Sequence, residues 1–327
     1  MKHRMLILAA ALATTTIALV HTATPVAVES AVAESPTVGI LSWLGSPDVT
    51  VVPDLVYGTA PDGTPLTADV CLPAASATGG EAPHDDAVGD ADGAAALRPA
   101  VIEVHGGGWS RGDKAEPEWR LTCQWLASEG FVVVNVNYRL APQFPFPAAI
   151  DDVTAAVRWL RSPAVAERFA VDPERIGAFG GSAGGNLAAL LGTRGSGDVT
   201  SGERVAAVVA VSAPFDLTAH GQTLGAYPGW LTDRELSYLG CAAFDGCAAA
   251  IDASPVSFVD RTDPPMLVAQ SADEFIPLAQ AESFAAALAT AGVDHTLEVD
   301  AGIEHSTAAL DESLRARVAD FLRDALR

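Results

Sequence analysis

From residue 99 to the carboxyl terminus, short apolar runs alternate with amphipathic stretches, and this alternation restricts the fold more than any other feature. The runs at 100–104, 131–136, 175–179, 205–211, 266–269 and 296–299 have the length and β-branched content of buried strands. Between them lie helix patterns. Residues 119–129 stop at Gly130, and Pro147 opens a stretch in which Ile150, Val153, Val157 and Leu160 recur every three or four positions. Residues 182–191 read as a further helix. Leu278, Ala281, Ala285 and Leu288 share a helical face, as do Leu310, Leu314, Val318 and Phe321. Strands separated by helices need right-handed crossovers, which predicts an α/β fold with a mostly parallel sheet covered on both faces. Ahead of this region, runs at 49–57 and 66–72 flank the turn signal Pro61-Asp62-Gly63, so a hairpin should add antiparallel strands at one edge. Residues 213–264 show no clear period.

The chain has 327 residues and a formal charge of −22. That charge repels nucleic acid and anionic lipid, so neither a nucleic-acid partner nor a stable membrane partner is expected. The amino terminus reads as an export signal over 1–33. Lys2, His3 and Arg4 precede an apolar run at 5–20, and small residues follow, with cleavage after Ala33 or Ala23. An uncleaved anchor is the alternative, although the run falls short of the ~20 residues that a spanning helix needs. The remaining 34–327 is expected to form one catalytic domain. Within it, 74–98 reads as a solvated acidic loop, rich in Ala, Gly and Asp.

Four cysteines follow the signal, an even count that suits disulfides in an exported chain. Cys241 and Cys247 flank the turn Asp245-Gly246 and are paired on proximity. Cys71 and Cys123 are then paired by elimination, with four unpaired buried thiols as the alternative. None has a histidine or second cysteine at metal-ligand spacing, so no zinc site is expected.

Gly180-Gly181-Ser182-Ala183-Gly184 fits G-x-S-x-G between a strand pattern and a helix pattern. So sharp a turn needs flanks almost free of side chains, and it projects the serine at a helix amino terminus, where negative charge is favoured. His105-Gly106-Gly107-Gly108-Trp109 follows another strand. Its glycines leave backbone N–H groups accessible to an oxyanion, and both motifs fall at the carboxyl ends of parallel strands.

These stretches carry a resemblance. With 135–152, 172–190, 253–259, 272–277 and 301–305, they resemble, in order, the α/β-hydrolase superfamily. Within it they resemble the secreted carboxylesterases related to hormone-sensitive lipase and the bifidobacterial feruloyl esterases. The resemblance implies an α/β-hydrolase fold and a serine carboxylesterase with triad residues ordered serine, aspartate, histidine. Ser182 is then the nucleophile, and Gly107 and Gly108, with the N–H of Ala183, form the oxyanion hole. His305, in the loop after the last strand, is the base. His295 precedes that strand and should sit at the sheet's other end, while His220 lies in the irregular segment. Asp273 matches the family's aspartate, with Pro277 four residues on, and Glu274 is the alternative acid. One departure is visible, since relatives often carry His-Gly where this chain has Ala269-Gln270.

The chemistry needs no metal or organic cofactor, and the expected partner is a small-molecule ester. Trp109, Tyr227 and Trp230 are expected to line the substrate pocket, with 213–250 as a small cap favouring small or aromatic acyl groups. A peptidase on the same fold and a catalytically silent binding protein are the competing readings.

Overall fold

The computed structural model describes residues 38–74 and 96–327. The expected export signal and nearly all of the acidic loop at 74–98 lie outside the described residues. Strands β1 (Thr50–Thr59) and β2 (Pro65–Leu72) form the antiparallel hairpin. Then follow β3 (Arg98–Val104), helix α1 (Pro117–Ser128), β4 (Val132–Val136), α2 (Ala148–Arg161) and α3 (Pro163–Phe169). Next come β5 (Val171–Gly181), α4 (Ala183–Thr193), β6 (Ala207–Val211), α5 (Gly229–Leu239) and α6 (Ala248–Asp252). The chain closes with β7 (Met266–Ser271), α7 (Leu278–Ala291), β8 (His295–Asp300) and α8 (Glu312–Ala325).

The strands make one eight-stranded sheet in the order β1-β2-β4-β3-β5-β6-β7-β8. β2 meets β4 antiparallel, and every pair from β4 to β8 is parallel. This is the α/β-hydrolase fold. Each face of the sheet buries its own apolar cluster. Val104, Ala178 and Val268 pack on the α2 and α4 side, and Val101, Phe179 and Leu267 on the α1 and α8 side. Consecutive strand residues point to opposite faces, so strands buried on both faces read as unbroken apolar runs.

Both expected disulfides are present. Cys71–Cys123 joins β2 to α1, and Cys241–Cys247 closes the loop after α5. Among the described residues, no helix is long and apolar enough to cross a membrane.

Residues 213–264 are less irregular than their pattern suggests. α5 buries Leu231, Glu235, Tyr238 and Leu239 on one face. That spacing is helical, but a carboxylic acid sits in the middle of the stripe and hides the period. α3 is a two-turn helix, too short for a periodicity to stand out.

Candidate active site

Ser182 lies between β5 and α4 with φ 57° and ψ −124°, a conformation that non-glycine residues seldom adopt. The turn closes because its flanks lack side chains. A Cβ on Gly180 would lie 2.2 Å from the Gly184 oxygen, and one on Gly184 would lie 2.0 Å from the Val104 oxygen. The Ser182 N–H donates to Val211 O at 2.8 Å, tying the elbow to β6. Behind it, the buried Asn186 side chain donates to the oxygens of Pro214 and Ala253, each at 3.1 Å.

The glycine turn after β3 brings Gly107 (φ 107°) and Gly108 (φ 59°) to the same rim. Its far end is pinned by a charge cluster. Buried Lys114 donates to Asp69 at 2.6 Å and to Asp54 at 2.8 Å, while Asn135 Nδ2 donates to the Lys114 oxygen at 2.8 Å. His105 is buried and stacks on Tyr138, whose hydroxyl donates to the His105 oxygen at 2.9 Å. Burial lowers the His105 pKa to about 4, so its ring is neutral. Its Nδ1 lies 2.8 Å from the Gly106 oxygen and therefore carries the proton. His105 thus supports the turn from beneath.

His305 follows β8, and its loop is held in two places. Ser271 Oγ donates to the Glu304 oxygen at 2.5 Å, and the Ser306 N–H donates to Ser212 Oγ at 2.9 Å. Phe275 packs against the imidazole with ring centroids 4.1 Å apart. His305 and Ser182 line one cavity of about 450 Å³ together with Gly106, Gly107, Gly108, Trp119, Trp230 and Arg234. A larger cavity of about 660 Å³, between the β1–β2 turn, α2 and α4, contains neither.

The carboxylate beside His305 belongs to Glu274, not to the expected Asp273. The Nδ1–H of His305 donates to Glu274 Oε2, and the Glu274 side chain is fully buried. Its other oxygen accepts from Gln270 Nε2 at 2.7 Å. Asp273 is exposed, and its backbone N–H donates to Gly302 O at 2.9 Å. That bond fixes the loop so that residue 274, one position on, turns inward. The Gln270 amide also donates to Ile276 O at 2.9 Å, clamping the loop from both sides. The residue that departs from the family pattern, Gln270, thus holds the carboxylate that meets His305.

Of the three expected pocket residues, only Trp230 lines the cavity. Trp109 has φ 53° and turns into the core, where it stacks on Tyr238 at 4.3 Å with planes 5° apart. Tyr227 is half-buried away from the cavity. His220 pairs with Asp216 at 2.9 Å and lines another cavity. His295 pairs with Met266 at the amino ends of β8 and β7, the rim away from Ser182. Sequence reasoning missed Arg234, which falls in no motif, and met Gln270 only as a departure from the family pattern, with no contact assigned to it. Lys114 closes the glycine-rich stretch 105–114, and its charge was the available signal.

α5 brings Trp230, Leu231 and Arg234 to the cavity, and its buried Glu235 makes the helix sensitive to pH. Burial raises the Glu235 pKa to about 8, the hydrogen bond from Gln222 Nε2 opposes the rise, and the Asp216 charge adds to it. The folded state therefore holds a proton that the unfolded chain releases near the ordinary value of 4.5. This stabilisation is complete below that value and is lost as pH rises towards about 8. Glu235→Gln should be more stable than the parent at pH 8, by on the order of 3 kcal/mol, with the gap closing at pH 4.5. Parallel melting-temperature profiles across that range would refute the assignment.

Solved structures of similar fold include a carbohydrate esterase from gut microbiota, in truncated form. It has a TM-score of 0.67 and 22% identity, and the match covers 86% of this chain and 98% of that one. The carboxylesterase EstE1, cloned from a metagenomic library, has a TM-score of 0.65 and 25% identity, covering 86% of this chain and 90% of that one. Curated relatives match over shorter stretches. Arylacetamide deacetylase of Bos taurus is 44% identical over 96 residues, 29% of this chain and 24% of that protein. Carboxylesterase NlhH of Mycobacterium tuberculosis is 44% identical over 95 residues, 28% of each. These matches thus span only about a quarter of the curated relatives' length. The BD-FAE family model matches residues 90–288, more than half of the sequence, and the chain belongs to the BD-FAE family.

Proposed function

We propose that this chain is a serine carboxylesterase, with Ser182 as nucleophile, His305 as general base and Glu274 as the acid that orients it. One observation carries the reading. A serine in a left-handed elbow shares a cavity with an imidazole whose far nitrogen is held by a buried carboxylate. A histidine so held has its Nδ1 protonated and its Nε2 free to take a proton from the serine. Ser182 attacks the ester carbonyl as its proton moves to His305. The N–H groups of Gly107, Gly108 and Ala183 receive the oxyanion. The protonated imidazole then gives its proton to the leaving alcohol. Water repeats the sequence on the acyl-enzyme, with His305 again as base. The names of the relatives, a deacetylase and several esterases, support acyl transfer as the reaction class.

Residues 213–250 act as a small cap, with Trp230 and Leu231 of α5 narrowing the cavity. A volume of about 450 Å³ between Trp119, Trp230 and Phe275 suits a small or aromatic acyl group better than a long chain. The basic and apolar amino terminus, with two disulfides in the catalytic domain, supports export.

The test is a panel of acetyl, butyryl, feruloyl and long-chain nitrophenyl esters, with fluorophosphonate labelling located by mass spectrometry. Hydrolysis of the shorter or aromatic members, with label on Ser182, is expected. Faster cleavage of the long chain would overturn the size preference. No hydrolysis and no label would overturn the esterase reading.

A further inference from the structure

The cavity that holds Ser182 is lined by two arginines, the exposed Arg111 and the half-buried Arg234, and the proposed chemistry has no use for the second. Arg234, on α5, is half-buried and lies over the oxyanion turn. A Cβ on Gly108 would come 2.0 Å from its Cδ, and its Nη1 donates to the Gly107 oxygen at 3.4 Å. A guanidinium has five N–H donors in a planar fork. Among the described residues, that long bond is the only hydrogen bond Arg234 makes, and none of the ion pairs includes it. Its other contact is with the Trp230 ring, 6.0 Å from the guanidinium carbon.

Among the described residues, neither acid that shares the cavity forms an ion pair with Arg234. Glu116 and Glu118 stand at the start of α1. Glu116 is pushed up by burial and then by the charges of Glu118 and Asp113, while Arg111 is the cation that acts on it. Arg234 is therefore a partly desolvated cation beside the oxyanion turn, in a chain with a formal charge of −22. Holding a long cationic side chain against backbone carries an entropic cost that one weak hydrogen bond offsets poorly.

We propose that the substrate is an ester carrying a carboxylate, which Arg234 grips beside the scissile carbonyl. This rests on the esterase reading above and specifies its substrate class. A planar guanidinium matches a carboxylate through two parallel hydrogen bonds, and its place against the turn that receives the carbonyl oxygen lets it meet an anion a few bonds from the reacting ester. The acidic surface repels such a substrate at long range, so the preference arises from short-range pairing and persists at high salt.

Two pairs of esters, one anionic and one neutral of similar length in each, test it by pH-stat titration. Monoethyl glutarate against ethyl valerate places the charge on the acyl side, and carboxymethyl butyrate against propyl butyrate places it on the alcohol side. For at least one pair, kcat/KM of the anionic ester should exceed that of its neutral partner by about tenfold, as a charged hydrogen bond warrants. Arg234→Gln should collapse that ratio, and Arg234→Lys should restore part of it. An equal loss on both members of each pair would mean that Arg234 only props the Gly107 turn, which overturns the inference. So would neutral esters cleaved as fast as the anionic ones, or anionic esters left intact by an enzyme that hydrolyses nitrophenyl butyrate. Either result leaves the esterase reading standing. Failure to hydrolyse nitrophenyl butyrate as well would remove both.

Discussion

Ser182→Ala is expected to lower kcat for a short nitrophenyl ester about 10⁶-fold, with little change in melting temperature. The two halves of this expectation have separate causes. The left-handed backbone at residue 182 is imposed by the close approach of Gly180 to Gly184 and of Gly184 to β3, and not by the serine hydroxyl. Alanine keeps the same Cβ, so the elbow and the sheet register around it stay as they are. The oxygen that forms the acyl-enzyme is lost. What remains is the oxyanion turn and the cavity, which alone give about 10³–10⁴-fold over water. A loss below about a hundredfold would mean that another group or a bound water performs the attack. A large fall in melting temperature would mean that the hydroxyl holds the elbow together.

The sheet, the elbow and the histidine were legible because each depends on local pattern. Buried parallel strands write themselves as apolar runs, and the flanks of Ser182 must be glycine for steric reasons confined to a few residues. The place of His305 beside Ser182 followed from chain order, since only the loops after the strands reach the rim that carries Ser182. Side-chain direction within a loop has no such local signature. Trp109 follows Gly107 and Gly108 in sequence, yet its positive φ swings the ring onto Tyr238. Tyr227 lies three residues before Trp230, but only the latter is on the turn of α5 that meets the cavity. The helix itself was obscured by Glu235, a carboxyl where an apolar residue would mark the buried stripe. Which of two adjacent carboxylates meets His305 is set by bonds that no local pattern announces. The Asp273 backbone bonds to Gly302, and the Gln270 side chain reaches forward to Glu274.

That choice is open to a direct measurement. Glu274→Gln should lower kcat by about 10⁴-fold, the scale seen when the acid of a serine triad loses its charge. Asp273→Asn should change kcat by less than about threefold, as expected of an exposed group that touches no reacting atom. Two donors converge on the Glu274 carboxylate, the Nδ1–H of His305 and the Nε2 of Gln270, and a carboxylate has an oxygen for each. An amide has one oxygen. If the substituted amide turned that oxygen to His305, its NH₂ would face the NH₂ of Gln270. If it turned the oxygen to Gln270, its NH₂ would face His305 and favour the tautomer with Nε2 protonated, which cannot accept from Ser182. Either orientation also loses the negative charge that stabilises the imidazolium. Gln270→Met should therefore recover part of the loss in the Glu274→Gln background, because it removes the competing donor. A larger loss at Asp273 than at Glu274 would return the acid to the aspartate. It would also mean that the loop rearranges when substrate binds.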